Sequence, residues 1–432
     1  MNLTSLLLTQ GGDERIALLP PDQVNRYGCP PLPDPGLLEL GSCTASVISE
    51  PAFDAASRLR GRWHGLPSDA QVKDIAQTMM AEFLHLHGLD TLPGILAEPA
   101  ASGTDALALG AARIHALLEP ADVVMVSPEE SGREAPTAVQ GHARTTLRPI
   151  RARDTTGQPL PASTVSGETR KQVALGLSSG RNILLLLSDV TKTGLIVPGI
   201  EEVLDLHRHH PDQVSVLVDA CQFRLGRDAL RGYLEAGFLV ALTGSKFMGG
   251  PAFSGILLTP PGHATLKSGI PTPAPHPGLL LRWEAALEEM RRFHTLHPAE
   301  VFRTIREFGE LASNYFHDNH RLSLLPSPAP DRKALFQTVH DTWDNLQTIF
   351  PYLVRRTDNQ WCSVEDTLQI FRQLPRGSDL RGRLGQPVHC GRQNHQPLSA
   401  LRLCLGARTF TSPMPTRKIF QLVDRSAGLL RD

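Results

Sequence analysis

An aspartate and a lysine, 27 positions apart, each close an apolar run. The segments are Val-Ser-Val-Leu-Val-Asp-Ala-Cys-Gln, holding Asp219 and Gln222, and Leu-Val-Ala-Leu-Thr-Gly-Ser-Lys-Phe, holding Lys246. Both charged groups fall where a buried strand hands over to a loop at the carboxyl edge of a sheet. A carboxylate there can keep a pyridine nitrogen protonated, and a lysine on the next strand's loop can condense with an aldehyde. A third element precedes them. Ala-Ser-Gly-Thr-Asp-Ala-Leu, residues 101–107, opens a helix whose apolar positions Leu107, Ala111, Ile114 and Leu118 repeat with a period near 3.6. Such a turn presents free N–H groups, a hydroxyl and the positive end of the helix dipole to a phosphate. Ser102 or Thr104 could serve as an ordinary N-cap, and strand-end aspartates are common in α/β sheets. The order phosphate turn, aspartate, lysine is what points to pyridoxal 5'-phosphate, whose chemistry the protein only has to place and tune.

The elements needed to position these groups are legible as alternating patterns. Gln71–Leu86, Ile200–His209 and Ala229–Ala236 read as helices. Val123–Val126, Ile183–Leu187, Val214–Val218 and Leu239–Leu242 read as short buried strands. Apolar strands alternating with helices predict an α/β fold with a mainly parallel sheet covered on both faces. Ser254–Leu258 reads as a strand that turns back beside the lysine segment. After the proline-rich stretch 271–277, Leu279–Phe293 reads as a long helix leading into a smaller α+β part with helices over Ala299–Phe316 and Glu365–Gln373 and a β-like run at Ala400–Leu405. The expected division is an extended N-terminal arm over 1–60 that covers the active site, a large α/β domain over 61–290, and a small domain over 291–432. In the arm, the run Gly41–Ser46 offers hydroxyls, Thr44 and Ser46 among them, to a substrate.

Val-Asp-Ala-Cys-Gln at 218–222, Thr-Gly-Ser-Lys-Phe-Met-Gly-Gly-Pro at 243–251, and Leu-Ser-Asp-Val-Thr-Lys-Thr-Gly at 187–194 together resemble the class V aminotransferase and cysteine desulfurase superfamily, of PLP fold type I. The resemblance runs from about Ala100 to Gly255, with an echo near Arg402. It implies that Lys246 forms the imine with the cofactor and moves the substrate α-proton, and that Asp219 pairs with the pyridinium nitrogen. It implies Gln222 and Thr191 near the ring's phenolic oxygen, with Thr191 standing where many relatives carry Asn. Gly103, Thr104, Thr243 and Ser245 would hold the phosphate. Thr272 would reach a neighbouring subunit's phosphate, because such sites lie at a homodimer interface. Arg402 matches the small-domain arginine that grips a substrate carboxylate, for which a planar guanidinium is suited.

Two departures from that pattern stand out. Ser131 takes the place of the His or aromatic that covers the ring, and the segment around it, with Glu129 and Glu130, reads as a solvated loop. No cysteine occupies the mobile loop a desulfurase needs, since Leu322–Arg332 has none, and Cys362, Cys390 and Cys404 read as structural thiols. The expected activity is therefore that of a PLP enzyme acting on an amino acid through cofactor-bound intermediates, foremost an aminotransferase. A lyase or a β/γ-replacement enzyme of a specialised biosynthetic pathway is the alternative. A desulfurase and an inactive scaffold rank below both.

Composition bounds the remaining classes. The chain has 432 residues, a net charge of -1 and a pI near 7.0, so it carries no electrostatic footprint for nucleic acid or an anionic membrane. The apolar runs are too short to span a bilayer. The start shows no basic flank or cleavage-like site. Six cysteines without CxxC spacing fit free thiols in a cytoplasmic protein. His85 and His87 lie two apart on a helix and do not share a face, and His207, His209 and His210 follow an acidic helix and read as solvent-facing, so no metal is expected.

Overall fold

The computed structural model describes residues 2–12, 14–42, 45–119, 121–141, 145–261, 274–336, 341–377, 380–393 and 396–429. Thirteen strands are described, in two sheets. They are β1 (Leu37–Leu40), β2 (Leu96–Ala100), β3 (Ala121–Val126), β4 (Leu147–Ile150), β5 (Asn182–Asp189), β6 (Ile196–Val197), β7 (Val214–Asp219), β8 (Leu239–Thr243), β9 (Gly255–Thr259), β10 (Leu322–Leu324), β11 (Ile349–Val354), β12 (Arg381–Gln393) and β13 (Gln396–Cys404). The large sheet has the order β2-β9-β8-β7-β5-β3-β4, with β6 paired to β5. Strands β8, β7, β5, β3 and β4 are parallel, and β9 runs antiparallel to both β8 and β2.

The expected elements recur with boundaries moved by a residue or two, except the run Ala400–Leu405, whose strand β13 begins four residues earlier at Gln396. The interior of β5, Ile183–Leu187, is fully buried, as a parallel strand between helical layers must be. Registry aligns Ser188 of β5, Asp219 of β7 and Ala241 of β8 in one row at the carboxyl edge of the sheet. Ligands of open α/β sheets bind outside that edge. The helix Gly103–Leu118 packs over β7, β8 and β9, capped by Ser102, whose Oγ accepts from the Asp105 amide at 3.2 Å. A Cβ on Gly103 would stand 2.6 Å from Thr243 Cγ2 and 2.7 Å from Cys221 Sγ. Only glycine lets the helix start this close to the ends of β7 and β8.

The small sheet has the order β1-β12-β13-β11-β10. Its strands are antiparallel except β1, which pairs parallel with β12. The N-terminal 60 residues therefore do more than extend over the surface. Two helices also occur there, Leu3–Leu8 and Glu50–Gly61, where prolines and small polar residues predict extended chain. The reason is capping. Asn2 Oδ1 accepts from the Ser5 amide at 2.9 Å, and Ser49 Oγ accepts from the Ala52 amide at 3.2 Å. Pro51 sits in the first turn, where a missing N–H costs nothing. The long helix Pro277–His294 ties this segment down. Its fully buried Arg282 donates to the carbonyls of Phe253 (2.7 Å), Leu8 (3.1 Å) and Gln10 (2.7 Å).

Glu39 of β1 faces Arg383 of β12, with Oε1 3.4 Å from Nε. Burial pushes its carboxyl up to about 7, the nearby Arg383 and Arg408 only partly offsetting it. A carboxyl raised from 4.5 in the unfolded chain costs nothing below pH 4.5, and costs progressively more as pH rises through 7. The full cost is about 3 kcal/mol. Glu39→Gln is therefore expected to raise the thermal midpoint at pH 8 and to change it far less at pH 5. Equal shifts at the two pH values would show that Glu39 ionises normally.

Candidate active site

Two adjoining cavities open at the carboxyl edge of the large sheet, and Lys246, Asp219, Thr104, Arg15 and Gly132 line both. The larger, about 250 Å³, is also lined by Ser131, Thr191, Gln222 and Arg402. The smaller, about 90 Å³, lies at the start of the helix Gly103–Leu118 and is lined by Gly103, Thr243 and Ser245. Ten of the thirteen residues singled out in the sequence thus converge. Ser46 does not join them. Its Oγ donates to the Gly250 carbonyl at 3.1 Å, and it lines a separate cavity beneath the N-terminal segment. Thr44 and Thr272 lie outside the described residues.

Each central group has a local reason for its direction. Asp219 ends β7 and is half-buried. Its Oδ1 accepts from the Cys221 amide two residues on, at 3.2 Å, which fixes the carboxylate on the wall of both cavities. Cys221 itself is buried, and burial, then the Asp219 charge, pushes its thiol well above the ordinary range, so it stays protonated. Lys246 is set by the residues after it. Phe247 and Met248 are buried, and the Phe247 ring stacks on Trp343 at 4.9 Å. Anchoring those two in the core turns Lys246 outward into the cavity, where it makes no side-chain hydrogen bond or ion pair to any described residue.

Gln222 is buried, and its Oε1 accepts from Ser42 Oγ at 2.9 Å, which orients the amide nitrogen toward the cavity. Thr191 is buried, and its Oγ1 accepts from the Leu195 amide at 3.1 Å, leaving its proton to donate. In the smaller cavity, Thr243 Oγ1 donates to the Cys221 carbonyl at 2.8 Å, and Ser245 Oγ lies 3.3 Å from Thr243 Oγ1. The hydroxyl of Thr104 has no side-chain partner among the described residues. The first-turn N–H groups of the helix lack intrahelical acceptors, as at every helix start.

Arg402 lies mid-strand in β13, opposite Gly385 of β12. A Cβ on Gly385 would come within 3.0 Å of Arg402 Cβ and 3.2 Å of its Cζ, so glycine gives the guanidinium room. Nε donates to the Gln386 carbonyl at 2.8 Å and Nη1 to the Lys192 carbonyl at 3.1 Å. Only 3% of the residue is exposed, yet no described carboxylate pairs with it. A buried guanidinium held by carbonyls alone is a standing site for an anion.

The segment after β3 differs from the sequence expectation. Glu130 is buried rather than solvated. It pairs with buried Arg153 at 2.7 Å and accepts from Thr193 Oγ1 at 2.8 Å and 2.9 Å. Arg153 also donates to Ser327 Oγ at 2.9 Å and the Pro326 carbonyl at 2.7 Å, binding the loop after β3 and the loop after β5 to the segment that follows β10. A second buried clamp joins Asp189, at the end of β5, to Arg332 Nε (2.8 Å) and Tyr233 Oη (2.6 Å). Neither clamp is legible in the sequence, because the partners are far apart along the chain. Ser131 lines the cavity as expected and supplies no ring to stack. Tyr27, from the N-terminal segment, and Phe253 are the aromatic residues described there. Cys362 and Cys390 are buried, and burial pushes both thiols up to about 12, which leaves neither as a ready thiolate.

No protein-family model matches the chain, and no curated protein matches it. Solved structures do. The glutamate decarboxylase domain of a diaminobutyrate-pyruvate transaminase and L-2,4-diaminobutyrate decarboxylase from Vibrio parahaemolyticus superposes with a TM-score of 0.61 at 12% identity, covering 91% of this chain and 80% of that one. Serine palmitoyltransferase from Sphingomonas wittichii gives 0.56 at 11%, covering 91% and 87%. Mouse CSAD gives 0.59 at 14%, covering 91% and 83%. The fold is PLP fold type I. The likeness is one of architecture, and these neighbours do not single out the class V enzymes that the sequence resembles. No described helix is long and apolar enough to cross a membrane.

Proposed function

We propose that the protein is a pyridoxal-phosphate enzyme acting on an amino acid, and that it breaks the bond to the α-proton, foremost as an aminotransferase. The observation that carries this reading is the convergence of Lys246, Asp219 and the first turn of the helix Gly103–Leu118 on one pair of joined cavities. The donor set fits the cofactor. A helix start with the Thr104 and Ser245 hydroxyls and Arg15 suits a phosphate dianion, and a strand-end carboxylate on the cavity wall suits a protonated pyridine nitrogen. Gln222, its amide nitrogen freed by Ser42, and Thr191 would donate to the phenolic oxygen. When bound, the cofactor supplies an aldehyde for the amine and a ring that accepts electrons from the substrate α-carbon.

The chain's own residues do the rest. Arg402 binds and orients the substrate carboxylate. Lys246 holds the cofactor and then carries the proton at the α-carbon. The Glu130–Arg153 clamp keeps the two loops of the cavity wall in place. Holding the carboxylate on a buried guanidinium stabilises it in the ground state and so works against its loss as carbon dioxide. Proton removal is thereby favoured over the decarboxylation named for one of the structural neighbours, and elimination and replacement form the second reading. The arm over 1–60, the large domain over 61–290, the small domain over 291–432, a homodimer with shared sites, and a cytoplasmic home complete the proposal.

The test is a titration of cofactor-stripped protein with pyridoxal phosphate, followed by product analysis. A new visible band at one equivalent, then 2-oxo acid without carbon dioxide, is the expected result. Carbon dioxide in stoichiometric yield would replace the aminotransferase reading with a decarboxylase. A protein that never develops the band would end the cofactor reading. Thr104→Ala with Ser245→Ala should weaken cofactor retention by about 10²- to 10⁴-fold, since each of the two hydrogen bonds to a charged group contributes about 1.5–3 kcal/mol. Retention unchanged in the dialysed double variant would move the phosphate elsewhere.

A further inference from the structure

The larger cavity carries more positive charge than the cofactor and one carboxylate need. Lys246 and Asp219 belong to the cofactor, Arg15 also borders the smaller phosphate-end cavity, and Arg402 takes the α-carboxylate. Three cations remain on the wall, Lys192, exposed Arg133 and exposed Arg26, and Arg26 already pairs with Glu14 at 3.5 Å, which leaves Lys192 and Arg133. Lys192 is half-buried, and its Nζ donates to the carbonyls of Pro128 (3.2 Å) and Glu129 (3.4 Å), with no carboxylate in reach of a bond. Its backbone amide is pinned to the Glu130 carbonyl at 3.0 Å, and its carbonyl accepts from Arg402. The ammonium is therefore fixed beside the carboxylate-binding arginine. Arg133 makes no ion pair or hydrogen bond to any described residue. The nearby acid Glu130 is consumed by Arg153, leaving exposed Glu134 as the other carboxylate on the wall beyond Asp219.

Crowding of these cations leaves a trace. Lys192 is pulled down to about 8, first by burial and then by Arg402, with Lys246 and Arg133 adding to it and Glu130 opposing. Like charges gathered in a half-closed site are costly unless an anion comes to them.

We propose that the substrate is an amino acid whose side chain bears a second anionic group, carboxylate or phosphate, held by Lys192 and Arg133. This rests on the pyridoxal-phosphate reading of the same cavity. The second anion offsets the repulsion among the wall cations, while Arg402 holds the α-carboxylate. A neutral isostere leaves Lys192 and Arg133 unpaired and gains nothing from them.

The experiment uses cofactor-loaded protein and equilibrium titrations of the visible band with matched pairs. These are L-glutamate and L-glutamine, L-aspartate and L-asparagine, and O-phospho-L-serine and L-serine. Glutarate against butyrate, measured by calorimetry, repeats the comparison without an amine. At least one anionic member should bind about 30-fold or more tightly than its neutral partner. Lys192→Gln or Arg133→Gln should cut that preference to roughly 3-fold or less with the cofactor band intact. Equal affinity within every pair, binding by no pair, or a preference that survives both substitutions overturns the proposal. Since the cofactor band is read separately, any of these outcomes leaves the cofactor reading standing. If the band itself never forms, the glutarate and butyrate arm alone decides the proposal, by the same criterion.

Discussion

Lys246→Ala is expected to lower turnover of any amino-acid substrate by about 10³-fold or more, the scale set by loss of a positioned acid–base group. The variant should still fold, because Lys246 is half-buried, bonds to no described residue, and sits outside the aromatic cluster that Phe247 anchors. It should also still bind the cofactor, since the phosphate-end groups and Asp219 are untouched, but without covalent attachment. Single-turnover measurements on the reconstituted variant check this. A rate within tenfold of the parent would assign the proton to another group, and Lys192, the other lysine on the cavity wall, would be examined next.

Arg402→Ala should act on binding. Removing the guanidinium takes away a buried, charge-assisted partner for the substrate carboxylate, a loss of about 2–5 kcal/mol. That corresponds to a KM increase of roughly 30-fold or more with a much smaller change in kcat. Amine substrates lacking a carboxylate should be processed no worse than before. Arg402→Lys should recover only part of the loss, because a point charge cannot reproduce the fork held by the Gln386 and Lys192 carbonyls. A KM unchanged in Arg402→Ala would remove this residue from the substrate site.

The parts of the fold that hold the site were legible because they are buried on both faces. The apolar runs ending at Asp219 and Thr243, and the helix with its Ser-Gly-Thr start, declare themselves by periodicity and punctuation. Edge and proline-bearing strands do not. Leu96–Ala100 carries Pro99 and an exposed Leu96, and Leu147–Ile150 carries Pro149, as only sheet edges tolerate. Ile349–Val354 is buried and contains Pro351, so its place beside β13 depends on tertiary pairing rather than on local preference. Among site residues, those adjacent to a strand end or helix start could be picked out, and most reach the cavity. Those recruited across the chain could not. Arg153 reaches Glu130, Arg332 reaches Asp189, and Ser42 orients Gln222, each through folding of segments with no common pattern. Ser46 shows the converse, a hydroxyl in a suggestive run that the fold turns toward the Gly250 carbonyl instead.

The central claim is that pyridoxal phosphate attaches to Lys246 in a cavity that Asp219 also lines. Borohydride reduction of the cofactor-loaded protein, followed by proteolysis and mass spectrometry of the peptides, tests it most directly. The account predicts a single phosphopyridoxyl adduct on the peptide containing Lys246, absent from Lys246→Ala. An adduct on Lys192 or another lysine, or none from a protein saturated with cofactor, would contradict it.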